Sequence, residues 1–447
     1  MTLLNKLLNI TLLFYIYNFI SNIYFLKKVN NWLRKERNIN EKNISSNTLY
    51  LLIPVLNEQK IIRETVQHFY SIVEEFKNVY VIFITTNKEI DQVNSTYKLI
   101  RNLIVEKRMT NIRLINYPSK NGVMAHQLNY GLKFIKENFE KKVFWVGIYN
   151  ADSRINRGTI LYILSKIKDG EECVYQQYSY YPLPKGQNKK SIIGSASLWQ
   201  TRWSINFEIY RVLFQLKLSF YLKKINNTFF KILVESIFEK MNYVIGHGFF
   251  SRSDILEKVG EFSETTINED AILGYLLNCN RILIKPIPYF ERADFAPNLL
   301  IYIRQQAVWF NGPLYAYNYF KIYLLKRTKN NFYENLRALI LATKLFLMAF
   351  YWLVSPILLI IILPYYIDCY KVLLSLIFII ILNLPLIHKY IKNSLKDISE
   401  CDYNSLANPS VIYCTIFYLL HSVGPILCII KIIFRKNTIK NKYKTER

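Results

Sequence analysis

Four uncharged apolar stretches, residues 7–26, 346–366, 372–387 and 411–430, bracket a long polar middle. A bilayer-crossing helix needs about 20 mostly apolar residues, so the first, second and fourth are long enough and the third is short. This distribution predicts an integral membrane protein with a large domain outside the bilayer. The first stretch is too long for the apolar part of a signal peptide. It also contains Asn9, Asn18 and Asn22 and has no small-residue cleavage site after it, so it reads as a retained anchor. Only Lys6 precedes it, whereas Lys27, Lys28, Arg34, Lys35 and Arg37 follow, a bias that predicts a cytoplasmic middle domain.

The net charge of +26, from 58 basic and 32 acidic residues, does not gather into one stripe, and no nucleic-acid motif accompanies it. The expected partner of that charge is anionic lipid beside the membrane segments, not nucleic acid. Six cysteines, at 173, 279, 369, 401, 414 and 428, form no C-x-x-C pair or zinc spacing and read as reduced thiols.

After an Asn- and Ser-rich linker at 38–48, short apolar runs at 49–56, 79–84, 112–117 and 143–149 alternate with helical spacing at 58–76, up to 108, and at 124–138. Strands alternating with helices predict βαβ units and a mostly parallel, Rossmann-like α/β sheet. Beyond residue 157 the alternation loosens. A strand is expected at 174–178, a long helix at 197–223, a helix from Asn268 through Leu277, a strand at 282–287, and a helix from 299 that stops near Gly312-Pro313. No internal repeat interrupts this order.

Asn150-Ala151-Asp152-Ser153 stands at the carboxyl end of the fourth strand, where open α/β sheets bind ligands. An aspartate there suits a divalent cation carrying a diphosphate, with Arg154 as a competing partner. Asn57-Glu58, after the first strand, also suits an ordinary helix start, Asn57 capping and Glu58 favoured by the dipole.

The ordered set Ile53-Pro54-Val55-Leu56-Asn57-Glu58, Gln127-Leu128-Asn129-Tyr130-Gly131, Asn150-Ala151-Asp152-Ser153, Gly246-His247-Gly248-Phe249, Glu269-Asp270 and Arg304-Gln305…Trp309…Gly312 resembles the membrane glycosyltransferases of family two. That family includes cellulose, hyaluronan and glycolipid synthases, and the resemblance spans about residues 49–313. It implies a GT-A fold, a nucleotide-sugar donor, Mg²⁺ or Mn²⁺, and inversion at the anomeric carbon. By the same resemblance Asp152 holds the metal. Pro54, Asn57, Glu58, Asn129 and Asn150 join it on the donor. Asp270 is the catalytic base, oriented by Glu269, and His247, Arg304, Gln305 and Trp309 face the acceptor or diphosphate. Without the resemblance, Glu269-Asp270 reads as an acidic first turn of a helix, and Trp309 as a core residue.

Three positions depart from the family pattern. Asn150 replaces the first Asp of D-x-D. Thr85-Thr86-Asn87 stands where many members carry an acidic residue for the base, and Val308 replaces the arginine of Q-x-x-R-W in Gln305-Gln306-Ala307-Val308-Trp309. Losing that guanidinium argues against a processive polymerase. Trp199 and Trp203, at i and i+4, are expected to pack or to meet the membrane interface, and His126 to cap or pack.

The expected organisation is an anchor and linker at 1–48, a GT-A domain at 49–313, an interfacial connector at 314–345, and a transmembrane region with a basic tail at 346–447. Three full crossings would leave the basic tail outside, so residues 411–430 are expected to be re-entrant, broken near His421-Ser422-Val423-Gly424-Pro425, unless the tail breaks the charge rule. The combined expectation is a multi-pass glycosyltransferase of a bacterial inner membrane, acting on a lipid or glycan acceptor. A processive polysaccharide synthase and an inactive scaffold of the same fold are the alternatives.

Overall fold

The computed structural model describes residues 3–37, 45–139, 143–167, 172–327, 331–366, 385–396 and 401–435. Most of the third apolar stretch and the basic tail from 436 onward lie outside these residues.

A seven-stranded sheet runs through the middle domain in the order β3-β2-β1-β4-β7-β5-β8. Its first half follows the expected alternation: β1 (Leu49–Pro54), α2 (Ile62–Val73), β2 (Val79–Thr86), α3 (Thr96–Glu106), β3 (Ile112–Tyr117), α4 (Met124–Asn138) and β4 (Trp145–Ile148). The neighbours among β1 to β4 pair in parallel. Side chains alternate across β1: Leu49, Leu51 and Ile53 join one core, Tyr50 and Leu52 the other. Both faces are therefore buried under helices, which is why these strands read as continuous apolar runs.

The second half departs from pure alternation. Strand β7 (Phe249–Arg252) inserts antiparallel between β4 and β5 (Cys173–Gln176), while β5 pairs in parallel with β8 (Leu283–Pro286). A parallel pair, β6 (Ser179–Tyr180) and β9 (Glu291–Arg292), forms a small second sheet. The predicted long helix is two helices, α6 (Ile192–Arg202) and α7 (Ile209–Leu222), joined by a π-helical segment, Trp203–Glu208. Three helices of the middle domain were not foreseen, α5 (Arg157–Lys166), α8 (Thr228–Phe238) and α9 (Ser253–Val259). After α9 (Ser253–Val259) and α10 (Glu269–Cys279), helix α11 (Leu299–Leu314) carries Pro313 in its last turn.

The first apolar stretch lies in a 34-residue helix, α1 (Leu3–Glu36). Its second half packs on the middle domain: Phe25 stacks on Tyr210 at 3.8 Å between ring centroids, and Asn206 Nδ2 donates to Asn22 Oδ1 at 3.2 Å. One asparagine that interrupts the apolar stretch thus has a partner in the protein. Among the described residues two helices are long and apolar enough to cross a membrane, Phe332–Ile357 and Val411–Phe434. The expected N-terminal span is not one of them.

The second candidate helix breaks where the sequence suggested, between Leu420 and Val423. Backbone freed at the break is covered by protein, as it must be away from water. Trp352 Nε1 donates to His421 O at 3.0 Å, and Ser422 Oγ donates to Leu353 O at 2.7 Å. Beyond it, Gly424 lies so close to α11 that a Cβ there would meet Gln306 Cβ at 2.6 Å.

Candidate active site

Strand β4 runs parallel to β1 while β7 runs against it, so the carboxyl end of β4 and the amino end of β7 meet at one edge (Ile148 opposite Phe249). The turn Asn150–Ser153 leaves the first of these and the Gly246–Gly248 loop enters the second. Ser153 closes the turn, its Oγ accepting from Asn150 N at 3.1 Å. Asp152 is half-buried within it.

The glycine loop is fixed by its neighbours. Gly248 sits at φ +65, where a Cβ would lie 2.8 Å from Gln177 O. Its N donates to Ile148 O and its O accepts from Gln177 N, both at 2.7 Å. Gln176 Nε2 donates to His247 O at 2.8 Å. Gly246 leaves room for the first turn of α10, since a Cβ at 246 would stand 3.3 Å from Asp270 Oδ2. The loop therefore joins the β4 turn to the start of α10.

His247 projects between them. Its Nδ1 lies 2.9 Å from Glu291 Oε2, and the Glu291 side chain is fully buried. Burial opposes charge on the imidazole, yet the field of Glu291, its hydrogen bond, and then Asp152 and Asp270 raise the pKa above its ordinary value. One imidazole thus lies within electrostatic range of both carboxylates.

Arg154, the competitor for Asp152, donates through Nη1 to Ala151 O and Ser153 O, both at 3.0 Å. Burial depresses its pKa, and Asp294 supports its charge ahead of Asp152. The start of α10 is held from the other side by α11. Asn268 Nδ2 donates to Val308 O at 3.1 Å, and Asn311 Nδ2 to Asn268 Oδ1 at 3.2 Å. Glu269 is buried and Asp270 half-buried. Val308 is buried against this turn, and Gln306 binds His421 of the broken helix (Nε2 to Nδ1, 3.0 Å). Arg304 and Trp309 are exposed on α11 and Gln305 is half-buried. The Trp309 ring stands edge-on to Tyr302 at 6.0 Å.

On the donor side, Pro54 ends β1 opposite Ile84. Asn57 turns the chain at φ 52, and Glu58 N donates to Thr96 Oγ1 at 3.2 Å. Sequence reasoning missed the group that holds this loop. Glu89 is buried and accepts from Asn57 N at 2.6 Å, Thr96 N at 2.9 Å and Thr96 Oγ1 at 2.7 Å. Thr85 bonds to Asn116 of β3, and Thr86 and Asn87 bond to Ser119 and Pro118 of the loop after it. Asn129 stands apart from the other donor candidates. Its Nδ2 donates to Phe262 O and Glu264 Oε1, both at 2.9 Å, and its Oδ1 accepts from Phe262 N at 3.1 Å. His126 caps α4, Nδ1 accepting from Val123 N at 3.2 Å.

Two further acids escaped notice, Glu291 and Glu208. Glu208 ends the π-helical segment, accepts from Trp203 Nε1 at 2.9 Å, and is pushed up to about 7 by burial. Neither stands in a sequence pattern that announces it.

Among the described residues no three His, Cys, Asp or Glu side chains gather as a metal cluster. A cation shared with a substrate diphosphate needs only one or two protein carboxylates. The Asp152 carboxylate, with the Asn150 amide oxygen beside it in the turn, is a donor set that fits.

The mixed α/β architecture with a mostly parallel sheet is that of a glycosyltransferase fold. Its overall structure is similar to a mannosyltransferase from Pyrobaculum calidifontis in complex with GDP-Man and Mn2+. The TM-score is 0.51 at 11% identity, covering 96% of this chain and 100% of that one. TarS 1-349 of S. aureus matches at 12% identity with a TM-score of 0.39, over 88% of this chain and 93% of that one. No protein-family model matches the sequence, and no curated protein does.

Proposed function

We propose that this protein is a metal-dependent, inverting glycosyltransferase similar to the membrane-bound family two enzymes. It moves a sugar from a nucleotide donor to a lipid-linked or membrane-proximal acceptor. The observation that carries this reading is the Gly246–Gly248 loop, which is tied to the end of β4 through Gly248 N and Ile148 O at 2.7 Å and lies against the Asp270 carboxylate at Gly246.

Asp152, with Asn150, would hold Mg²⁺ or Mn²⁺ against the donor diphosphate. The cation, when bound, withdraws charge from the leaving nucleoside diphosphate. The His247 imidazole, held by Glu291, would add a donor for the phosphate oxygens. Asp270 takes the proton of the acceptor hydroxyl as that oxygen bonds to the anomeric carbon. The bond to the diphosphate breaks on the opposite face, which inverts the configuration. Glu269, buried behind Asp270, and Asn268, tied to α11, set the direction of that carboxylate.

The GDP-Man and Mn2+ of the structurally similar mannosyltransferase support a nucleotide sugar and a divalent cation here. The two apolar helices support membrane association. Transfer of one sugar per acceptor fits position 308, where a buried valine stands in place of arginine.

The test is transfer from a nucleotide sugar by the purified full chain with Mn²⁺. Asp270→Asn should abolish transfer while calorimetry still detects the nucleoside diphosphate. Full transfer by that variant would sink the assignment of the base.

A further inference from the structure

Helix α8 presents an apolar face that no other described residue covers. Asn227 caps its start, Oδ1 accepting from Phe230 N at 2.9 Å. Phe229, Leu233 and Ile237 then recur at i, i+4 and i+8, flanked by Phe230 and Phe238, and all five are exposed, Phe229 to 76%. Phe220 and Tyr221, at the end of α7, extend the same kind of surface. A contiguous exposed apolar patch marks an interaction site.

Charge around the face has one sign. Between residues 211 and 240 the only acids are Glu235 and Glu239, and both are buried. They turn away from the face. Glu235 pairs with Arg281, and Glu239 accepts from Arg337 Nε at 2.8 Å. The basic residues Lys217, Lys223 and Lys224 are exposed and Lys231 half-buried.

The far end of α8 is fastened at a defined height on α13 (Phe332–Tyr366). Lys344 Nζ donates to Ser236 O and Glu239 O, both at 2.7 Å. Lys344 is also the last charged residue before the uncharged run 345–367. If α13 crosses a bilayer, Lys344 marks the level of the headgroups, and the α8 face lies at that level.

We propose that α8, with the end of α7, lies in the headgroup–acyl boundary of an anionic bilayer. Its aromatic and aliphatic side chains enter the lipid and its lysines meet the lipid phosphates. An amphipathic helix with basic flanks binds in this way. The inference rests on the reading of α13 as a membrane span.

The test places a fluorescent amino acid at Phe230, and separately at Val105 of α3 and Leu347 of α13, in the full chain. Each protein is reconstituted in phosphatidylcholine–phosphatidylglycerol bilayers brominated near the top of the acyl chain. Quenching at Phe230 should exceed that at exposed Val105 several-fold. It should fall when phosphatidylglycerol is omitted or when Lys223→Gln and Lys224→Gln are combined. A probe at 230 quenched no more than the one at 105, with 347 quenched, would overturn the proposal and leave the face to water or a protein. With all three unquenched, the membrane reading itself fails. Quenching at 230 that ignores lipid charge would overturn the electrostatic half.

Discussion

His247 Nδ1 and Glu291 Oε2 stand 2.9 Å apart across the junction of the main sheet and the small one, and the carboxylate is sealed from solvent. Pairing of this kind favours the charged form of the imidazole. Burial works against this charge, so the carboxylate decides the outcome.

Glu291→Gln should therefore move the His247 titration from above the ordinary 6.5 to below it, because burial then acts with less opposition. The raised folded value means that the ion pair stabilises fully below the unfolded imidazole's midpoint. That contribution disappears as pH rises through the folded midpoint. Histidine NMR titration and thermal unfolding across pH 5–9 would read both effects. An unchanged midpoint in the variant would refute the pairing.

Asp152→Asn should remove the metal-dependent part of donor binding. Calorimetry with nucleoside diphosphate, with and without Mn²⁺, should give the same weak affinity for the variant under both conditions. A retained Mn²⁺ enhancement would assign the cation to other residues.

Gly248→Ala should lose stability by about 1–2 kcal/mol from the left-handed backbone alone. More is lost from the clash with Gln177 O, which is backbone and cannot swing aside. Thermal unfolding should show this, with a larger loss of transfer than of stability because the loop carries His247.

Glu89→Ala should leave Asn57 N and Thr96 N without their acceptor, at about 1–3 kcal/mol for the buried Thr96 donor and less for the part-buried Asn57 donor. Donor affinity should fall with it, since the turn after β1 loses its brace. An unchanged melting temperature would show that water replaces the carboxylate.

The first half of the domain was legible because β1 to β4 are buried on both faces, and strands of that kind carry unbroken apolar runs. Strand β7 was not, since Phe249–Arg252 is four residues long and owes its place to the β4 and β5 edges it joins. The motif residues Asp152, His247 and Asp270 could be named in advance because they stand at strand and helix ends. Glu291 and Glu89 could not, since the partners His247 and Asn57 lie tens of residues away, and Glu208 stands in no motif although its partner Trp203 is close in sequence. Asn129 shows the opposite hazard, for its amide binds the chain at Phe262 and Glu264. Trp199 met the packing expectation, its ring 4.9 Å from that of His421.

The near-contact of Gly424 with Gln306 gives the C-terminal helices a part in the packing of the middle domain. They form the back wall of α11, and α11 in turn grips Asn268, one residue before the Glu269-Asp270 pair. A fragment cut before residue 411 to gain solubility would bare that wall and loosen the Asn268 end of α10. Activity lost on such trimming would then report a missing buttress, not a missing membrane.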